Sequence, residues 1–442
     1  MSDPPKSPPN NPLSSISAPV SAAFADYFGL GSISPLLPFF VMKYHPSSQA
    51  PLGWILSFQY GGVVLGSTLA GMFSDRIGRR NMLMIALVGD VVFFSLTGFV
   101  KSIEMMMAVR LLAGLSTPLT ACIAWLLDAA GEDVGIRARN QGMFGMCSVI
   151  GFMMGAAMAG LAGFSLFSVV NCVCGGFAFL ALLLTFRSTE PSRPNADAVP
   201  SGVGDIMRSK EFLSLAVVYG VVGVQFTGAT SLIGVVLPEK FGFSEWQVAV
   251  SFIVMTVVHF LLMANLKGLT AKFGTPTLII SSYSLAILGH VLFLFKFSFK
   301  SLPSTLFLFL ISTLVLPLAM TGANMLAPGV ADKYGENARG ATIGMLRTTF
   351  NVGQAIGPAF AVSLYNVKNE LNDGFVFFAL QGAFMAFATA CFAAVWVLGK
   401  GRGGEWVERG KQKVGMEKDT EVEMRSMKED EDGTVDDEFK DL

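Results

Sequence analysis

The sequence predicts an all-α, polytopic membrane protein whose twelve transmembrane helices form two pseudo-symmetric six-helix halves. Of the 442 residues, 52% are hydrophobic and only 14% are charged, with a mean hydropathy of +0.57. Soluble domains carry about 25% charged residues. Apolar runs of about twenty residues, long enough to cross a bilayer, recur along the chain. Motifs of the first six runs reappear in weakened form in the last six, as expected of a chain built from two repeats.

The apolar pattern divides the chain into five segments. Residues 1–17, rich in Pro, Ser and Asn, are predicted to be a disordered cytoplasmic N-terminus, and residues 400–442 a disordered acidic cytoplasmic tail. A polar cytoplasmic linker at 187–210 separates the two halves. The first half (18–186) has predicted spans at 18–42, 51–74, 81–100, 104–130, 138–160 and 163–186. The second half (211–399) has predicted spans at 211–237, 245–266, 275–296, 303–329, 338–365 and 373–399.

A charged ten-residue stretch at 71–80 separates the second and third spans and sets the orientation. It contains Arg76, Arg79 and Arg80, and short loops rich in Lys and Arg remain on the cytoplasmic side of a membrane. The other basic loop residues fall on the same side when the spans are counted, so both termini are predicted to be cytoplasmic. The pattern leaves open whether the membrane is the plasma membrane or that of a vacuole or another organelle.

Two weak repeats relate the halves. Lys272 and Gly274 stand 196 residues after Arg76 and Gly78. Ala271 occupies the position that matches Asp75, the acidic residue of the 71–80 loop. The pair Gly353 and Gly357 likewise stands 202 residues after Gly151 and Gly155.

The sequence contains no motif for catalysis or for binding a nucleotide phosphate, so it predicts neither an enzyme nor a primary pump. No cofactor is expected. The histidines stand apart from one another and the five cysteines all lie in apolar spans, which argues against a metal site and a disulfide framework. Nothing in the charge pattern favours nucleic-acid binding. Transport would then be driven by a gradient of ions or solute.

Three charged residues inside the spans of the first half are the candidate coupling residues. Asp26 lies about eight residues, or roughly 12 Å, inside the first span. Asp90 lies midway along the third span and Arg110 within the fourth. Charged groups in a membrane are costly and usually face a cavity or one another. Asp26 is therefore predicted to be a proton or cation site, although a structural salt bridge is the alternative, and structural and coupling roles for Arg110 are both open.

The fourth span also carries Asp128 at its cytoplasmic end. Eighteen residues separate Arg110 from Asp128, which is five whole turns of an unbroken helix. The sequence therefore predicts that both side chains project from the same helix face.

The eleventh span carries the candidate substrate-binding residues. Arg347, Asn351, Gln354 and Pro358 follow one another at helical spacing and form one polar face in an apolar segment. A lone cation in hydrocarbon needs an anion, so Arg347 is expected to pair with Asp26, with Asp90 or with an anionic substrate. Gln225 and Asn324 are predicted to join this polar face.

These motifs resemble those of the major facilitator superfamily. Its signature loop between the second and third spans is similar to the 71–80 stretch at Gly71, Asp75, Arg76, Gly78, Arg79 and Arg80. Asp26 with Gly29, Gly31, Pro35 and Pro38 resembles the first span of the tetracycline–proton exporters, and Arg110 followed by Gly114 resembles their fourth. The fifth span departs from the antiporter pattern because Ala156 replaces a Pro, which appears instead as Pro358 in the eleventh span.

The resemblance implies a twelve-span drug:proton antiporter that works by alternating access. In this reading Asp26, Asp90 and Arg110 couple protons, and the 71–80 loop forms a cytoplasmic latch with Asp128 and Arg139. The implied partners are a small-molecule substrate, protons and the lipid bilayer, and the protein is expected to be a monomer. Two alternatives remain, a uniporter or symporter of metabolites and a non-transporting receptor or scaffold on the same fold.

Overall fold

The computed structural model describes residues 16–130, 134–190, 203–265, 269, 272–294, 326, 330, 338–365 and 375–398. The side chains of a few helical residues, Asp75 and Arg76 among them, are not part of the description. The helices are α1 (Ser17–Tyr44), α2 (Ala50–Ile77), α3 (Arg79–Thr97), α4 (Ile103–Leu115), α5 (Leu119–Ala130), α6 (Val134–Ala162), α7 (Phe167–Arg187), α8 (Val203–Arg208), α9 (Lys210–Phe241), α10 (Glu245–Ala264), α11 (Thr275–Leu294), α12 (Ala338–Tyr365) and α13 (Phe375–Ala393).

These helices follow the predicted spans closely. Within the described residues, eight helical segments are long and apolar enough to cross a membrane. The predicted tenth span at 303–329 lies almost wholly outside the described residues, as do the N-terminus and the tail, and half of the linker (191–202) lies outside them too. Among the described residues, those from Ala390 to Leu398 fall in a separate compact unit. Its described part is the end of α13 and the short π-helical segment Ala394–Leu398, in which Trp396 stacks on Phe392 with ring centroids 5.8 Å apart.

The fourth span is not one helix, which corrects the prediction that Arg110 and Asp128 share a face. Helix α4 ends at Leu115 and α5 begins at Leu119. Pro118 cannot donate a backbone hydrogen bond, and Thr117 donates instead to the Gly114 carbonyl three residues earlier, at 3.2 Å. A spacing of five whole turns places two side chains on one face only in an unbroken helix, so the spacing of Arg110 and Asp128 does not place them on one face across this break.

Glycines allow two matching pairs of helices to pack backbone to backbone. Gly151 and Gly155 of α6 lie against the backbone of α1, and the related Gly353 and Gly357 of α12 lie against α9. Helix α12 therefore packs on α9 as α6 packs on α1, which is the arrangement that the repeated Gly pairs predict. Small residues permit this close approach, and a side chain would prevent it.

The two halves meet through α2 with α12 and through α6 with α10. We call the membrane side of the 71–80 loop the motif side. The described contacts between the halves gather at the opposite side: Gly53 against Pro358 and Val362, Gly160 against Trp246 and Ala249, and Gly234 against Pro38 and Leu52. Apolar clusters there also combine residues of both halves. The structure is thus closed at the side opposite the motif side.

The glycine contacts lead to a first prediction. Replacing Gly155 by Val places a Cβ against the Phe28 carbonyl oxygen and within 2.9 Å of the Ser32 backbone nitrogen, so α1 and α6 are forced apart. We expect loss of most folded protein, measured by size-exclusion chromatography after detergent extraction. Gly145→Val in the same helix is the matched control, because a Cβ there has no neighbour within 4 Å. Equal yields of the two variants would contradict the packing argument.

Candidate functional site

The three charged residues predicted to couple protons lie together inside the first half. Asp26 on α1 is 5% exposed, and Asp90 on α3 and Arg110 on α4 are fully buried. One carboxylate oxygen of Asp26 and both of Asp90 have no hydrogen-bond partner among the described residues. The three charges act on one another electrostatically, yet no described ion pair joins either acid to Arg110. The cluster therefore holds buried acid oxygens that are available to a proton or a cation.

Arg110 is held by the third span rather than by either acid. Its Nη2 donates to the hydroxyl of Thr97, and the guanidinium lies 5.8 Å from the centre of the Phe94 ring. Its Nε and Nη1 have no partner among the described residues. Buried polar groups are nearly always hydrogen-bonded in folded proteins, so two unused donor atoms and three unused carboxylate oxygens leave hydrogen-bonding capacity here that the described residues do not fill.

Two tyrosines extend this cluster towards the second half. Tyr27 on α1 lies within electrostatic reach of both Asp26 and Arg347, and Tyr60 on α2 within reach of Tyr27 and Asp26. Both side chains are only partly buried. Sequence reasoning missed them because Tyr is common in membrane spans. The available signal was the position of Tyr27 directly after Asp26.

The predicted polar face of α12 is present and turned towards the first half. Pro358 at one end of it lies against Gly53 of α2. Asn351 and Gln354 are buried, and Arg347 is partly exposed. The charge of Arg347 acts on Tyr219 of its own half as well as on Tyr27 of the other. The acid cluster and the α12 polar face thus face each other from opposite halves.

Gln225 does not join this polar face. It lies on the far side of α9, where its Oε1 is 3.3 Å from Nε2 of His290 on α11. Gln381 on α13 donates to the Val221 carbonyl at 3.1 Å, one turn away from Gln225 on α9. Gly223 and Thr227, by contrast, face α12. The structure therefore places Gln225 in a second buried polar cluster, and Asn324 lies outside the described residues.

The 71–80 loop is fixed by contacts to two other spans. Arg79 forms an ion pair with Asp128 of α5, with Nε 2.9 Å from Oδ2, and also donates to the Ser74 hydroxyl. The backbone N–H of Arg79, at the start of α3, donates to Glu190 at 2.7 Å. Gly78 adopts a φ of +101°, a conformation that side chains disfavour. This loop therefore joins α2, α3, α5 and the start of the linker.

The other residues predicted to form the latch do not make contacts of this kind in the described structure. Arg80 donates to the backbone carbonyls of Thr185 and Phe186 at the end of α7 rather than to an acid. Arg139 is exposed on α6. Gly71 has open space where a Cβ would stand, so its packing requires no glycine. The side chains of Asp75 and Arg76 lie outside the described residues.

The Arg79–Asp128 pair leads to a second prediction. Asp128→Asn keeps the shape of the side chain and removes its charge, so the latch loses one ionic contact. Both side chains are about one-sixth exposed, and such pairs contribute roughly 0.2–1 kcal/mol. We expect a two- to fivefold lower rate of transport with unchanged thermal stability, measured in proteoliposomes. Asp205→Asn on the exposed helix α8 is the control, and an equal loss in that variant would argue against a latch.

Within the described residues no group of three or more His, Cys, Asp or Glu side chains could hold a metal ion. The five cysteines are free thiols.

Comparison with known proteins identifies the family. A sequence model of the Major Facilitator Superfamily matches residues 20–358. The chain belongs to this superfamily. As a major facilitator it is an integral membrane transporter and not an enzyme, and the predicted fold class is confirmed.

Curated relatives of this major facilitator include drug-resistance proteins. The class B tetracycline resistance protein of Escherichia coli is 25% identical over 374 residues, which cover 79% of this chain and 88% of that protein. Multidrug resistance protein 1 of Bacillus subtilis is 24% identical over 365 residues, which cover 80% and 90%. These matches confirm the resemblance to the tetracycline exporters and related drug exporters.

Solved structures support the fold. The nucleoside transporter NupG aligns with a TM-score of 0.66 at 16% identity, covering 86% of this chain and 99% of NupG. A bacterial homolog of the human lysosomal transporter Spinster, in an inward-facing and occupied conformation, aligns with a TM-score of 0.67 at 16% identity, covering 86% and 95%. At this identity the likeness concerns the fold alone.

Proposed function

We propose that this major facilitator is a proton-coupled exporter of drug-like or metabolite solutes that works by alternating access. The observation that carries the proposal is the buried carboxylate of Asp26, which has an oxygen without a partner and stands beside Asp90 and Arg110. Intramembrane acids are costly unless they perform a function. An acid that faces both a cation and a cavity can hold a proton in one conformation and release it in the other.

In this proposal the substrate cavity lies between the two facing halves and suits a substrate that carries an aromatic ring and polar groups. Tyr27 and Tyr60 supply ring faces on the first half, and Arg347, Asn351 and Gln354 supply polar groups on the second. Relatives named for resistance to tetracycline and to multiple drugs support this class of substrate. Gln225 lies on the far side of α9 from α12, so it is not among the proposed substrate contacts.

The orientation in the membrane and the residues that close each side are part of the same proposal. The motif side is cytoplasmic because its loops carry the basic residues, so both termini face the cytoplasm. The protein acts as a monomer in the plasma membrane or in the membrane of an organelle. In this orientation the closed ends of the halves lie outside and the cavity opens inward. The latch built from Asp75, Arg76, Arg79, Arg80 and Asp128 then closes the cytoplasmic side in the alternate state.

The test is transport by purified protein in proteoliposomes. A panel of labelled solutes, tetracycline and ethidium included, is assayed with and without an imposed pH gradient. Accumulation that requires the gradient supports the exporter. Equilibration without gradient dependence supports the uniporter alternative, and accumulation that follows a Na⁺ gradient supports a symporter. Absence of transport for the whole panel would favour the receptor or scaffold alternative.

A further inference from the structure

The proline of α12 frees hydrogen-bonding groups at the side opposite the motif side. Pro358 has no N–H, so the Gln354 carbonyl four residues earlier lacks its helical donor. Thr227 of α9 lies 3.0 Å from that carbonyl oxygen and shares its hydroxyl hydrogen with the Gly223 carbonyl of its own helix. One group freed by the proline is thus satisfied within the second half.

The next amide of α12 is bound by the other half. The backbone N–H of Ala359 donates to the hydroxyl of Ser57 on α2, at 3.0 Å. Ser57 and Ala359 lie 302 residues apart in the chain, and α2 and α12 belong to different halves. This bond therefore forms only when the two halves are in contact at this end.

The surrounding helices leave little room for this bond to shift. A Cβ on Gly53, one turn before Ser57, would lie 2.7 Å from the Pro358 carbonyl oxygen and 3.0 Å from the Val362 Cβ. On the other side, Gly353 and Gly357 hold α12 against α9. The Pro358 end of α12 is therefore fixed to its own half and pressed on α2, and Ser57 makes its hydrogen bond one turn from the close contact at Gly53.

The two faces that meet here also carry residues that the proposed function places around the substrate cavity. On α2, Gly53 and Ser57 lie on the same face as Tyr60. On α12, Pro358 stands eleven residues, or roughly 16 Å, beyond Arg347 on the polar face. Opening the Ser57 contact would thus connect the cavity to the side opposite the motif side.

We propose that Ser57 is the positioning residue of the outer gate, and that it holds the gate closed by accepting the amide hydrogen of Ala359, the residue after Pro358. The inference rests on the proposed alternating access. The first half lacks this proline, because Ala156 stands where Pro358 stands in the second half, and among the described residues no hydrogen bond links the amide after Ala156 to the other half. The gate is therefore asymmetric.

Hydrogen–deuterium exchange of the full chain in lipid nanodiscs tests this directly, read from peptides that cover Ala359. We expect Ser57→Ala to speed exchange about fivefold, the usual effect of losing one hydrogen bond. Ser57→Thr, which keeps a hydroxyl, should restore the wild-type rate. Ser67→Ala is the matched control, since that hydroxyl donates to Val64 of its own helix. Gly53→Ala should also speed exchange by separating the helices.

A double-mutant cycle tests the role of the proline. Pro358→Ala returns a donor to the Gln354 carbonyl and restores regular helical bonding beside Ala359, so the effect of Ser57→Ala should shrink in that background. Unchanged exchange in Ser57→Ala, or full additivity in the cycle, would overturn the proposal. If Ser57→Ala does not fold, Ser57→Cys and Gly53→Ala provide the same comparison. These readouts need neither substrate nor a pH gradient, so they succeed or fail separately from the proposed proton coupling.

Discussion

Asp26→Asn is expected to abolish accumulation driven by a pH gradient, with at least a tenfold loss, while exchange of substrate without a gradient partly survives. The carboxylate of Asp26 has an oxygen without a partner in a buried position, so the amide can occupy the same space. Because Asn cannot change charge, it holds the site permanently in a neutral form. Binding would then continue while the link to the proton gradient is lost.

The measurement compares uptake into proteoliposomes under an imposed pH gradient with counterflow in its absence. Asp205→Asn, on the exposed helix α8, is the matched control and should retain both activities. Full gradient-driven accumulation by Asp26→Asn would show that Asp26 does not couple protons. Asp90→Asn would then be the next variant, because its two carboxylate oxygens also lack partners among the described residues. Loss of both activities in Asp26→Asn would instead indicate a structural acid.

Arg110→Met is expected to lower the stability of the protein by about 3–5 kcal/mol. The side chain is fully buried and its charge acts on both Asp26 and Asp90. Removing it leaves two acids in an apolar interior without that cation and leaves the Thr97 hydroxyl without its guanidinium partner. A protein with buried like charges responds by unfolding or by neutralising the acids.

Thermal unfolding in detergent, followed by the fraction of monodisperse protein, measures this effect. Arg208→Met on α8 is exposed and should leave the melting temperature unchanged. Adding Asp90→Asn to Arg110→Met should recover part of the lost stability, since one of the unpaired acids becomes neutral. Wild-type stability of Arg110→Met, or no recovery in the double variant, would mean that the acids do not depend on Arg110.

Much of the fold could be predicted from local sequence. Apolar length alone sets the spans, since the bilayer thickness fixes how many residues a helix needs. The Gly pairs of α6 and α12 predicted close helix contacts because a missing side chain permits backbone approach. Asp26 and Arg347 were identifiable because charge in hydrocarbon is too costly to be accidental. Each of these inferences needs only the sequence of one segment and the fact that the segment lies in a lipid bilayer.

The relative positions of side chains on different helices depend on tertiary packing, and the sequence alone does not determine them. Gln225 lies beside His290 and away from Arg347 because the Gly223 and Thr227 face of α9 is the one that packs on α12. Tyr60 and Ser57 acquire a role only where α2 meets the opposite half. The break at Pro118 separates Arg110 from Asp128 although their spacing fits an unbroken helix. The sequence determined which groups are costly to bury, and only packing in three dimensions decided which partners they meet, because contacts between distant segments depend on how whole helices are oriented.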